Sequence, residues 1–538
     1  MNFRLTKGNF LKTGAYIEGD SAVFTFAAEK EDECSIVLLD KSGNTACELD
    51  IPSEYSTGSL YSVRVHGFCG NKYAYYFKIN GKRCIDPYAT RIFGREKWND
   101  KTRSDNDYEI ACGIDSSDFD WKYDSFPEIT RDRMKLYKLH VRGFSMDVSG
   151  NKKHKGTFEA VSDRINYIKK LGFTSILLMP VYEFEEMTIP VKHDIPEYAK
   201  PKYSLKDEQS VHTENDKVNF WGYTSGNYFA VKASYASDAS DASNELRRLV
   251  ERLHKNGMEC IVEMYFPDRT DHNLILDALR YWVMSFHVDG FKLLGDRLPV
   301  TAIVQDALLS RTKILYDGFD MSVVPQNRTY ENLYIDKEEY QFAARMMLNH
   351  INCNMYELLN QQKKQGENVG FINYISSNNG FTLSDLFMYN DRHNEANGEK
   401  NADGPSWNFS NNYGCEGPSR KRFIREIRKL KWKDAMLLLF LAQGVPMIMA
   451  GDEICNSQDG NNNAYCQDNP TGWVNWSNEH SRRENIRFLT RLIKFRDEHP
   501  VISCPKPFKF SDYKAVGYPD LSYHCKNAWI ASVMPQSY

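Results

Sequence analysis

The chain has no uninterrupted apolar run of the ~18 residues that a membrane-spanning helix needs. The longest candidate, Ala435 to Ala450, is broken by Gln443, Gly444 and Pro446. The first ten residues, MNFRLTKGNF, hold no apolar signal core. An excess of charge of one sign is also missing: 68 Lys and Arg stand against 72 Asp and Glu, a net of -4. That leaves no electrostatic footprint for nucleic acid or an anionic membrane. The twelve cysteines are scattered without a CxxC or a Cys/His metal spacing, so they read as reduced packing thiols. No Gly-rich phosphate loop follows an early strand, which argues against an open doubly-wound sheet. Internal repeats and low-complexity segments are absent. Together these absences predict a soluble, cytoplasmic protein that uses no metal and no cofactor and that partners neither nucleic acid nor membrane.

What is present is length and aromatic surface. At 538 residues the chain is too long for one compact domain. Aromatics make up 13% of it, and sugars bind on aromatic faces. Residues 1 to about 120 alternate short apolar and polar runs. Ala22–Ala27, Cys34–Leu39 and Tyr73–Ile79 read as strands, the last running into an Asn80-Gly81 hairpin turn. This predicts a β-sandwich over 1–120. From Leu136 onward buried strands alternate with helical patterns. Strands are expected at Leu136–Val141, Ser175–Pro180, Glu259–Met264, Val288–Leu294, Lys313–Tyr316 and Ile372–Ile375, and helices at Phe158–Leu171, Asn244–Asn256 and Leu274–Phe286. The economical fold is an α/β one, a (β/α)8 TIM barrel over 121–505. Short β-like pieces return at Phe508–Phe510 and Leu521–His524, the expected beginning of a C-terminal β-domain over 506–538, cut short at Tyr538.

Barrel chemistry sits past the C-terminal ends of the strands. The polar residues there are Asp268, Asp296, Asp317, Asn378 and Asn379. They make a thin set of isolated acids and two amides, with no evident carboxylate pair.

Long motifs add to this reading. LYKLHVRGF (136–144), KGTFEAV (155–161), LLMPVYEF (177–184), FWGYTSGNYFA (220–230) and HVDGF (287–291) resemble the α-amylase superfamily of glycoside hydrolases. INYISSNNGFTLSDL (372–386), RHNEANGE (392–399), GVPMIMAGDE (444–453) and GNNNAYCQDN (460–469) point to its isoamylase and glycogen-debranching branch, which is pullulanase-like. The resemblance implies retaining hydrolysis, with one carboxylate attacking the anomeric carbon and a second acid protonating the leaving oxygen. It also implies that the reaction centre of this chain is altered. The nucleophile position is Leu294, the acid–base position Asp317 and the third-acid position Asn379. Lys292 replaces an arginine, Asn378 a histidine, and Pro267-Asp268 an Asn-His pair, while the earlier aspartate of that strand is Glu263. Leucine cannot form a glycosyl–enzyme bond, and asparagine carries no charge to stabilise an oxocarbenium ion.

Tyr223 matches a family tyrosine that stacks on the sugar, and with Trp221 it is the candidate substrate contact. Plugging of the barrel mouth is the equal alternative. Asp296 lies ~6–7 Å beyond Leu294 along the strand, too far to replace a nucleophile. His140 and Arg142 read as structural, and the RHNEANGE run calls for no metal. The basic helix around Arg420 to Lys433 reads as a solvated outer barrel helix. The expectation is a catalytically inactive pseudoenzyme of carbohydrate metabolism that binds α-glucan (glycogen, starch or maltooligosaccharide) or partners an active debranching enzyme. The alternatives are an active α-1,6-glucan hydrolase with re-sited acids, and a structural protein without sugar binding.

Overall fold

The computed structural model describes every residue except 1–2, 71, 103–109, 116–117, 149–153, 188–216, 320–330, 353, 367, 513 and 523–538. The first 113 residues form two antiparallel sheets. One has the order Arg4–Lys7, Leu60–His66, Ser21–Ala27, Gly14–Glu18; the other has the order Arg91–Phe93, Ala111–Gly113, Ala74–Ile79, Cys34–Leu39, Thr45–Ile51. Their facing residues, among them Phe24, Ile36, Val63 and Phe77, make one buried core. The hairpin at Asn80-Gly81 forms as its sequence predicts: both residues take positive φ, 49° and 75°, and Ile79 pairs with Lys82.

Eight parallel strands close the barrel: Leu136–Leu139, Ser175–Leu178, Glu259–Tyr265, Gly290–Leu294, Lys313–Leu315, Leu333–Asp336, Gly370–Asn373 and Val445–Met449. Leu136 of the first pairs with Met447 of the eighth. The strands are almost wholly buried runs because helices cover their outer face and each other's side chains their inner one. The sixth, Leu333–Asp336, is one that sequence reasoning did not single out. The expected single helix at Phe158–Leu171 is two, Phe158–Asp163 and Ile165–Leu171. Arg164 leaves the ladder between them, lays its guanidinium 4.2 Å from the Trp476 ring centre and pairs with Glu479. The basic helix runs over Arg422–Phe440 and turns Ile424, Trp432, Met436 and Phe440 to the barrel.

Side chains alternate along each strand. Leu136, Leu177, Ile261, Leu315, Tyr334, Ile372 and Val445 fill an apolar layer inside the barrel. Residues two further along each strand stand one layer nearer the C-terminal rim. Past the last long helix, Arg483–Glu498, the described residues to Ser522 form no ladder. At Phe510 the backbone N–H instead bonds the Asp520 carboxylate. Phe508–Phe510 and Leu521–Ser522 find no partner strand among the described residues, and Tyr523 and His524 lie outside them. No described helix is long and apolar enough to cross a membrane.

Candidate active site

The HVDGF segment shows how the fourth strand is delivered. Helix His272–Phe286 is capped by Asp271 and ends at His287, which turns the chain with φ 51°. Asp289 then anchors the strand's start, accepting from the Cys260 backbone N–H at 2.7 Å and lying 2.9 Å from His254 Nε2. Gly290 lets the fourth strand press on the fifth: a Cβ there would stand 2.6 Å from the Lys313 carbonyl oxygen.

Above the apolar layer the barrel interior is charged. Lys138 from the first strand, Glu263 from the third and Lys292 from the fourth face inward, each at most 8% exposed, and Asp336 from the sixth joins them half-buried. Lys138 Nζ lies 2.7 Å from Glu263 Oε1, donates to Asn378 Oδ1 at 2.7 Å and reaches the Tyr223 hydroxyl at 3.4 Å. Its three N–H donors are therefore all engaged. Tyr223 donates to the other Glu263 oxygen at 2.5 Å. Lys292 pairs with Asp336 and stands 4.0 Å from Glu263. Burial holds Lys138 below the ordinary lysine value, against the pull of Glu263. Burial also acts against the Lys292 ammonium, but Asp336, Glu263 and Asp317 outweigh it and leave that group above its ordinary value.

Asp317 follows the fifth strand beside this set. The residue is exposed at the rim; partial desolvation of its carboxyl there, reinforced by Asp336, moves it up to about 6. Leu294 rises one layer above Lys292 and packs against a cluster of Met179, Phe220, Trp221, Tyr223, Ala464 and Tyr465. Trp221 and Tyr223 are 4% and 6% exposed, so the structure places both candidate sugar contacts inside this packing. A cavity of about 50 Å³ remains beside Trp221 and Asn378, room for a few water molecules. A larger groove, about 540 Å³, lies on the outer flank between Tyr167 and Arg483, away from the strand ends.

The remaining candidates are scattered. Asp296 is exposed in the turn after Gly295, Asn379 is exposed, and Asp268 is exposed with Arg297 3.9 Å away. His140 accepts from the Gly143 N–H through Nδ1 and donates from Nε2 to the Phe220 carbonyl at 2.7 Å; burial lowers it to about 4. Arg142 bonds both oxygens of Asp468 at 3.0 Å. The RHNEANGE loop is locked by amides: Asn394 and Asn397 bind Asp403 and the Asn461–Asn463 run. Among the described residues no group of three or more His, Cys, Asp and Glu could hold a metal ion. Sequence reasoning named Lys292, Asp317 and Asn378 but missed Lys138 and Asp336. A lysine at an inward strand position was the available signal.

Residues 148–272 match the family described as Alpha amylase, catalytic domain. The chain is 28% identical to isoamylase 1, chloroplastic, of Arabidopsis thaliana, over 86% of this chain and 71% of that protein. It is 27% identical to the glycogen debranching enzyme of Enterobacter sp. (strain 638), over 93% and 86%. Its fold superposes on apo pullulanase from Paenibacillus barengoltzii with a TM-score of 0.67 at 16% identity, covering 92% of this chain and 81% of that one. Over residues 148–272 the chain thus resembles the α-amylase catalytic domain, along most of its length it is similar to isoamylases and glycogen debranching enzymes, and its fold is that of a pullulanase.

Proposed function

We propose that this protein is a non-hydrolysing member of the debranching branch that binds α-glucan, and that its role is beside an active debranching enzyme. The observation that carries the reading is the inner charged layer. Retaining hydrolysis needs two carboxyl groups ~5–5.5 Å apart across the scissile bond, one of them free to attack. Leu294 offers none and is packed among aromatic rings. The carboxylates that do face inward are each occupied by an ammonium group, Glu263 by Lys138 and Asp336 by Lys292. Two buried ammonium groups also oppose an oxocarbenium-like transition state, whose positive charge a hydrolase must stabilise.

One observation favours a second reading. Asp317, held near 6, is in the range where a carboxylic acid donates a proton at neutral pH, as an active hydrolase with re-sited acids requires. Reducing-end release from pullulan and glycogen decides between them, run with the natural chain and with Leu294→Asp. No release from either is expected, because restoring the carboxylate leaves the lysines in place. Release from the natural chain, abolished by Asp317→Ala, would overturn the proposal. A melting temperature that glycogen and maltooligosaccharides leave unchanged would remove the glucan-binding half, since a ligand of the folded state raises it.

A further inference from the structure

Trp407 is the one described tryptophan that is exposed, at 43%. Its indole N–H has no acceptor among the described residues. By contrast, Trp98, Trp282, Trp432, Trp473 and Trp476 each donate theirs to an internal oxygen. The exposed ring is nonetheless held firmly. Phe342 meets it edge to face at 4.3 Å and 86°, and Phe409 flanks it at 5.9 Å. Phe409 takes φ 50°, a left-handed conformation that a bulky residue adopts only when its surroundings fix it. They do so here. Asn349 Nδ2 donates to the Phe409 carbonyl at 2.8 Å, and Asn462 Nδ2 donates to Asn408 Oδ1 at 2.8 Å. Arg345, fully buried, bonds the Ile375 carbonyl at 2.7 Å and reaches that of Asn408 at 3.4 Å.

These contacts also locate the ring. Phe342 lies on helix Glu338–Asn349, which leaves the sixth strand. Trp407 lies in the segment after the seventh strand, and Asn462 in the segment after the eighth. The ring therefore stands on the C-terminal rim of the barrel. Its loop, Gly404 to Asn412, reads GPSWNFSNN and carries no charged side chain, although 26% of the chain is charged. A rigid aromatic face with a spare N–H, set among hydroxyls and amides, suits an uncharged polyol: the C–H face of a pyranose stacks on the ring and its hydroxyls meet the polar rim.

We propose that Trp407, braced by Phe342 and Phe409, is a landing site for an α-glucan chain on the barrel rim, outside the filled interior. The proposal rests on the glucan-binding reading above and names where that binding occurs. It is tested on the full chain by glycogen retention in affinity gels and by titration with maltoheptaose. The variants are Trp407→Ala, Trp407→Phe and, as an exposed apolar control in the N-terminal sandwich, Leu11→Ala. Trp407→Ala is expected to weaken binding by about three- to tenfold, the worth of one stacking contact, measured well below a melting temperature that the lost contacts to Phe342 and Phe409 lower modestly. Trp407→Phe is expected to keep most of the affinity, and Leu11→Ala all of it. Binding by the natural chain that Trp407→Ala leaves intact would overturn the landing site while the glucan reading stands. No binding by the natural chain would overturn both.

Discussion

Lys138 is the residue on which the barrel interior turns. Its ammonium is out of water, and such a group is tolerated only because Glu263, Asn378 and Tyr223 engage it on three sides. A buried pair of this kind is worth little against an apolar replacement of both partners, but removing one partner strands the other charge at a cost of about 3–5 kcal/mol. Lys138→Met is therefore expected to lower the unfolding free energy by that amount, read as a lower urea midpoint. Lys138→Met combined with Glu263→Gln should recover most of the loss. A single variant as stable as the natural chain would mean that Glu263 is not held as a carboxylate by Lys138. LYKL gave one signal, since period-2 alternation puts Lys138 on the inward face of Leu136, but nothing of what surrounds it. The partners that make an inward lysine possible lie 85 to 240 residues away. Leu294 was legible, because its neighbours in the motif fixed its place at the strand end. What it touches was not.

At the scale of elements, the fourth and fifth strands are joined at their closest approach by Gly290. Adding a methyl group there meets the Lys313 carbonyl at 2.6 Å and its Cβ at 2.7 Å, backbone and stem that cannot turn aside. Gly290→Ala is expected to destabilise by about 1–3 kcal/mol, the usual cost of overpacking, read as a lowered denaturation midpoint. An unchanged midpoint would show that the two strands can part without loss. The strands found from sequence, such as Ser175–Leu178 and Glu259–Tyr265, are those whose every residue is buried or nearly so. The sixth escaped with only Leu333 and Tyr334 of its four residues fully buried, and the eighth, Val445–Met449, escaped although nearly all of it is buried, because its apolar run continues that of the helix before it. Asp336, the partner of Lys292, went unseen with the sixth. The break at Arg164 escaped for a related reason: its cause is Trp476, more than three hundred residues on.

Across the whole molecule, several buried acids hold protons more tightly than ordinary carboxyls do. Burial lifts Asp86, Asp385 and Asp452 to about 6 and Glu453 to about 7. Glu453 accepts from the Tyr137 and Tyr167 hydroxyls at 2.8 and 3.0 Å, linking the first strand and its helix to the turn after the eighth. A carboxyl whose value is raised by folding keeps a proton that the unfolded chain has already released. Its contribution to stability is thus complete below about 4.5, the unfolded value, and is lost as the pH rises towards about 7. For Glu453 the loss amounts to about 3 kcal/mol across that window. The melting temperature is expected to fall between pH 5 and pH 8, and to fall less in Glu453→Gln, which has no proton to lose and keeps an oxygen for the two tyrosines. The slope of this pH dependence, and not the absolute melting temperature, is the test, because the new amide shifts the latter at every pH. Equal slopes in the two proteins would show that Glu453 is already charged when it folds. The two tyrosines would then be donating to a carboxylate, and the barrel seam where the last strand meets the first would draw no stability from a buried proton.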